Sequence, residues 1–317
     1  MNVLFCFNKK VLVLAILLVS CFIKDSRAAF ESAQLERPRV VLTISETRIL
    51  PFEAVSFLLE LRNESSEIHK ITGIPLTLIE YRKVGAGKIN WIIYEKYSYG
   101  ISTISDPPLQ PTTMFFAPNS VYERGIHTID IDETGRQVFS SPGKYAIRAT
   151  DGIVSKPISI TVNKPIGADA AAYKFIRRHG LYRFLNEDGL TVFSFNRNAK
   201  RQFNRLIASY PHSRYAQLSR IAVSLMLIKG FVGKPDAAEA KRILRKVEMS
   251  GDGGLSARAK YYKGVACYRL GELEAAKKLF QEVGEQNANP YLKYLSKRIV
   301  ASKNLAEVEQ IHRQLLN

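Results

Sequence analysis

Cysteine is almost missing from this chain of 317 residues, which carries Cys6, Cys21 and Cys267 and no others. Two of the three fall within the first 28 residues. A chain that loses that segment keeps one thiol, and no intramolecular disulfide can form. Tryptophan is reduced to Trp91. The five histidines, at 69, 127, 179, 212 and 312, show no His-x-x-x-His pair, so no helical zinc motif is present. No phosphate-binding glycine loop and no dinucleotide glycine motif occur, and neither cofactor nor metal is expected. Asp130, Asp132 and Glu133 form a compact acidic group that lacks the glycine and the later glutamate of a calcium loop, and it reads as a solvated turn. Nothing here assembles a catalytic constellation, so the expectation is a protein that is not an enzyme.

Long apolar runs are also scarce. The one present, Val11 to Ile23, follows Lys9 and Lys10 and is thirteen residues long. That is short of the roughly 20 needed to span a bilayer and matches the core of a signal peptide. Ser26 and Ala28 supply the small residues of a cleavage site, so residues 1–28 are expected to be removed. An uncleaved anchor helix is the alternative. Leu18-Val19-Ser20-Cys21 also resembles a bacterial lipobox, in which Cys21 would be the lipidated mature N-terminus; Phe22 and Ile23 prolong the apolar run where lipoproteins turn polar. Cys267, between Ala266 and Tyr268 in a helical pattern, is expected to be a small buried hydrophobe.

Acidic residues are outnumbered, 29 Asp and Glu against 46 Lys and Arg, for a net charge of +17. The imbalance is not spread evenly. Residues 29–163 carry a net −1 and residues 164–317 a net +15. Such asymmetry points to an anionic partner or surface, or else to a basic solvated face.

Residues 36–163 read as β structure. Runs at 39–45, 54–63, 74–82, 89–97, 125–131, 144–150 and 155–163 are rich in Val, Ile, Thr, Tyr and Phe, and several alternate. Pro-Gly, Asp-Gly and Asn-Ser turn signals separate them. About seven short strands without an intervening helix predict an all-β sandwich. The stretch VFSSPGKYAIRATDGIVSKPISITV (138–162) resembles the last two strands of bacterial extracellular immunoglobulin-like domains, which implies an immunoglobulin-like sandwich. Trp91 and Tyr94 are read as core or cross-strand residues rather than a sugar platform.

Past Lys164-Pro165-Ile166-Gly167 the apolar period becomes helical and stays so to the end. Ala276, Phe280 and Val283 recur as Ala240, Leu244 and Val247, an offset of 36 residues. That period predicts stacked helix pairs over residues 168–317. The segment KYYKGVACYRLGELEAAKKLFQEV (260–283) resembles a tetratricopeptide repeat. The resemblance implies that Gly264 is where the partner helix approaches, Gly271 the inter-helix turn, Ala276 the helix contact and Phe280 the filler between repeats. Lys263 and Val283 depart from the pattern, and the closing Pro290 comes late. The junction Tyr210-Pro-x-Ser-x-Tyr-Ala216 resembles that of Gram-negative envelope repeat proteins associated with the outer membrane. Pro211 would stop one helix and Ser213 cap the next.

The fold class expected is therefore multidomain: an all-β immunoglobulin-like sandwich followed by an all-α tetratricopeptide-like repeat domain. The function expected is a non-catalytic, exported scaffold or adaptor in the periplasm or at the outer membrane, with the concave side of the helices as a protein-binding surface. The partner is expected to be a protein with an acidic surface, and export argues against nucleic acid. Binding of anionic glycan or lipid headgroups, including a membrane surface, is the alternative. The candidate binding residues are basic stripes on helices: Arg201 and Arg205, Lys241 and Arg245, Arg242 and Lys246, each pair one turn apart.

Overall fold

The computed structural model describes residues 39–53, 55–73, 78–85, 92–94, 112–129, 138–150, 154–185, 197–230, 233–286 and 289–302. Strands come first: β1 (Arg39–Ile44), β2 (Arg48–Ile49), β3 (Val55–Arg62), β4 (His69–Gly73), β5 (Leu78–Lys83), β6 (Ile92–Tyr94), β7 (Thr112–Phe116), β8 (Val121–Ile129), β9 (Gly143–Thr150) and β10 (Ile158–Val162). Helices follow: α1 (Gly167–His179), a 3-10 turn (Leu181–Phe184), α2 (Arg197–Ser209), α3 (Arg214–Lys229), α4 (Ala237–Glu248), α5 (Gly253–Arg269), α6 (Leu273–Glu285) and α7 (Pro290–Ala301).

The expected fold class is overturned. The described strands do not form an immunoglobulin-like sandwich; they fall into three small sheets, and about half of the described residues are helical. One sheet has the order β1-β3-β8, a second β2-β10-β9-β5-β6, and a third pairs β4 with β7 alone. The pairing is antiparallel except for β2, a two-residue strand that lies parallel to β10. Three of these strands, β2, β4 and β7, lie outside the runs marked by alternation. Alternation is a local property that shows which residues share a face, whereas sheet membership depends on partners far along the chain. Alternating residues of β3, β9 and β10, among them Phe57, Leu59, Ile147 and Ile160, are fully buried in one apolar cluster.

The helices stack in chain order, each on the next from α2 to α7. Their ends follow from capping. Ser213 accepts from the Ala216 N–H, Asp236 from Glu239, Asp252 from Leu255 and Asn289 from Leu292. Gly230 ends α3 at φ 73°, a left-handed conformation that glycine adopts without strain. Helices α4 and α6 bury one stripe and expose the rest. Helix α3 is buried from Tyr215 to Ile228 except at Gln217 and Arg220.

The strand-bearing and helical segments are not built apart. Helix α7 packs on β1, β3 and β8. Phe52, in the turn before β3, belongs to the helical core, with its ring stacked on Tyr173 at 5.4 Å and on Tyr182 at 5.0 Å. Phe52 holds φ 70°, rare for a residue with a side chain; that stacking and its N–H bond to the Phe139 carbonyl, 2.8 Å, keep it there.

Candidate functional site

The basic residues singled out in the sequence lie on α2 and α4. Arg201, Arg205, Arg242, Arg245 and Lys246 are all exposed. Two of the six candidates are in ion pairs within the chain. Lys241 pairs with Glu272 at the start of α6, which raises its pKa, and Arg242 grips Glu239 through two bonds of 2.6 Å. Arg201 donates to the Asn198 side chain at 2.8 Å. Arg205, Arg245 and Lys246 form no ion pair among the described residues. The Arg242 hydrogen bonds hold the Glu239 carboxyl below the usual range, and the charges of Arg242, Lys200 and Lys246 add to the effect. Lys200 is on α2, and Arg242 and Lys246 are on α4.

A second basic surface lies along α1. An open groove of about 930 Å³ runs beside this helix, with Lys164, Lys174, Arg177 and Arg178 among its lining residues. All four are exposed. Among the described residues no acidic one lines it.

The strongest electrostatic feature is buried, and sequence reasoning missed it. Arg214, the first residue of α3, donates from Nε to Glu53 at 2.6 Å and from Nη2 to Glu46 at 2.5 Å, and it also pairs with Asp252. Its backbone N–H donates to Asp169 of α1 at 2.7 Å. Glu46 and Glu53 come from the β half, Asp252 from the cap of α5. Next to Arg214, the Tyr215 hydroxyl donates to the Pro51 carbonyl at 2.9 Å. Burial pushes the Glu53 carboxyl up to about 7, against the pull of Arg214. Burial opposes the charge on Arg214, but Glu53, Glu46 and Asp252 outweigh it and raise its pKa. Burial and the nearby Glu53 raise Tyr215 as well. The signal in the sequence was slight: one carboxylate, Glu53, at the start of an apolar run. The cluster ties the two halves together.

The residues assigned to the repeat are placed as follows. Gly264 and Phe280 meet: a β-carbon at Gly264 would come within 2.9 Å of the Phe280 ring. Phe280 and Ala276 are buried in a cluster with Tyr261 of α5 and Leu292, Leu295 and Ile299 of α7. Gly271 takes φ 76° in the turn between α5 and α6. Cys267 is buried, and burial raises its thiol pKa. Glu46 of the strand half reaches Arg214 at the start of α3 and Gly254 at the start of α5, and α7 packs on β1, β3 and β8.

Residues 1–28 with Cys21, Trp91, and the group Asp130, Asp132 and Glu133 lie outside the described residues. Among the described residues no group of three or more His, Cys, Asp or Glu is placed to hold a metal ion. No described helix is long and apolar enough to cross a membrane.

No family model matches this chain, and no curated protein does. Solved structures give weak likenesses. A β-glucosidase from Erythrobacter marinus aligns over 40% of this chain and 16% of its own, at 12% identity and a TM-score of 0.24. A β-glucosidase from Listeria innocua, in complex with gluconolactone, aligns over the same shares at 10% identity and 0.23. A polysaccharide lyase aligns over 90% of this chain and 48% of its own, at 8% identity and 0.19. The chain thus spans about a sixth of the length of the two glucosidases. Likenesses this weak carry no argument about fold or activity.

Proposed function

We propose that this protein is a non-catalytic adaptor of the bacterial envelope, exported by its apolar leader, that binds a protein partner with an acidic surface. The observation that carries the reading is the set of exposed cations on two helices, Arg201 and Arg205 on α2 and Arg242, Arg245 and Lys246 on α4. The partner surface is then the exposed basic face of α2 and α4. Exposed charges act over about 10 Å at 0.1 M salt. Association through that face weakens as salt rises.

The test is capture of partners from native membranes by the protein and by the variant Arg242→Glu/Arg245→Glu/Lys246→Glu, at low and high salt. Loss of capture by the variant with an unchanged melting temperature is the expected result. Equal capture by both would overturn the reading. Retention of anionic glycan or lipid in place of a protein would replace it with the alternative of a headgroup- or glycan-binding module.

A further inference from the structure

We propose that the groove along α1 is a docking site for an extended acidic peptide segment of the partner, with apolar side chains alternating with Asp or Glu. This rests on the reading of the protein as an adaptor for an acidic partner, and adds a second site with its own ligand chemistry. Helix α1 turns Ala172 and Ile176 into the core. Its exposed side carries Lys174, Arg177 and Arg178, three and four residues apart and so on one stripe. Lys164, in the segment before the helix, adds a fourth cation.

The floor of the groove is aromatic. Tyr173, Phe175 and Tyr210 line it, all half-buried. Phe175 and Tyr210 meet edge to face, with centroids 6.3 Å apart. The Arg177 guanidinium sits 5.7 Å from the Tyr173 ring centroid. A helix C-terminus favours cations by itself, and Arg177 and Arg178 are in the last turn. That effect does not account for Lys164 or Lys174, which lie outside the last turn, nor for the concave shape.

The lining chooses among anionic ligands. Its described residues set four cations beside three aromatic rings, so a ligand of charge and hydroxyls alone leaves the apolar ring surface unmatched. A bilayer surface is flat and does not enter a groove. An extended peptide alternates its side chains and can set apolar groups on the rings and carboxylates on the cations. The volume, about 930 Å³, suits a short segment.

The experiment is fluorescence anisotropy of the full chain with a short labelled peptide of alternating Glu and Leu. Poly-Glu of equal charge and a Gln-Leu peptide serve as comparisons. The Glu-Leu peptide is expected to bind about tenfold tighter than either, and the Lys174→Glu/Arg178→Glu variant to lose about tenfold in affinity with its melting temperature unchanged. Poly-Glu binding as tightly as Glu-Leu would overturn the proposal, since the rings would then contribute nothing. So would an unchanged affinity in the α1 variant, or tighter binding of a sulfated polysaccharide or of anionic vesicles than of the peptide. The triple reversal on α4 leaves peptide binding intact if the groove is the site. Failure of the peptide while that reversal still abolishes partner capture sinks the groove and leaves the adaptor reading standing.

Discussion

The Arg214 guanidinium and the Glu53 carboxylate meet at 2.6 Å across 161 residues of chain, with Glu53 almost wholly buried and Arg214 largely so. The pair joins the turn before β3 to the first residue of α3, and Glu46 and Asp252 share the same guanidinium. A buried carboxylate without its cation is costly. Arg214→Ala is therefore expected to destabilise the protein by about 3–5 kcal/mol. Denaturant unfolding measures this, and a loss below about 1 kcal/mol would class the cluster with ordinary surface pairs.

The raised pKa of Glu53 gives stability a pH dependence. The folded carboxyl titrates near 7 and the unfolded one at its ordinary value of 4.5. Between those values the folded state holds a proton that the unfolded state has released. The contribution is fully present below the unfolded value and is lost as pH rises through 7. The groups facing it are Arg214, Glu46, Arg258 and Tyr215. Melting temperatures of the protein and of Glu53→Gln are expected to diverge as pH rises, with the variant relatively more stable above neutrality. Parallel pH profiles would refute the assignment.

Gly264 is needed for space, not for an unusual backbone, since it is mid-helix in α5. Its missing β-carbon leaves room for the Phe280 ring, 2.9 Å from where that carbon would be. Gly264→Ala is expected to cost about 1–3 kcal/mol by overpacking. Phe280→Leu in the same chain should recover part of that loss. Phe280→Ala alone opens a cavity and costs about 3–5 kcal/mol. Thermal unfolding of the three variants checks the set, and additive losses in the double variant would show that the two residues do not compete for space.

Cys267 is buried, with its thiol pKa raised by burial. Alkylation followed by peptide mapping is expected to leave it unmodified in the native protein and to label it fully in denaturant. Rapid native labelling would mean that α5 and α6 open locally.

The alternation at 144–150 and 155–163 and the helical spacing after Pro165 are local patterns, and the structure has β9, β10 and the helices within a few residues of them. The caps at Ser213, Asp236, Asp252 and Asn289 follow from side chains adjacent to the helix ends they satisfy. The charge division at about residue 164 is a count, and it survives any folding. Sheet membership is different. The parallel β2–β10 pair and the separate β4–β7 pair depend on partners about 40 residues apart or more, which overturned the sandwich. The basic stripes were legible as stripes, but only the tertiary structure decided that Glu272 engages Lys241 and Glu239 engages Arg242. The buried cluster was the least legible part. Arg214, Glu46, Glu53 and Asp252 are unremarkable charged residues in sequence, scattered over some 200 positions. They become a junction only because packing removes water from around them, and the energy of a charge is set by what surrounds it in space.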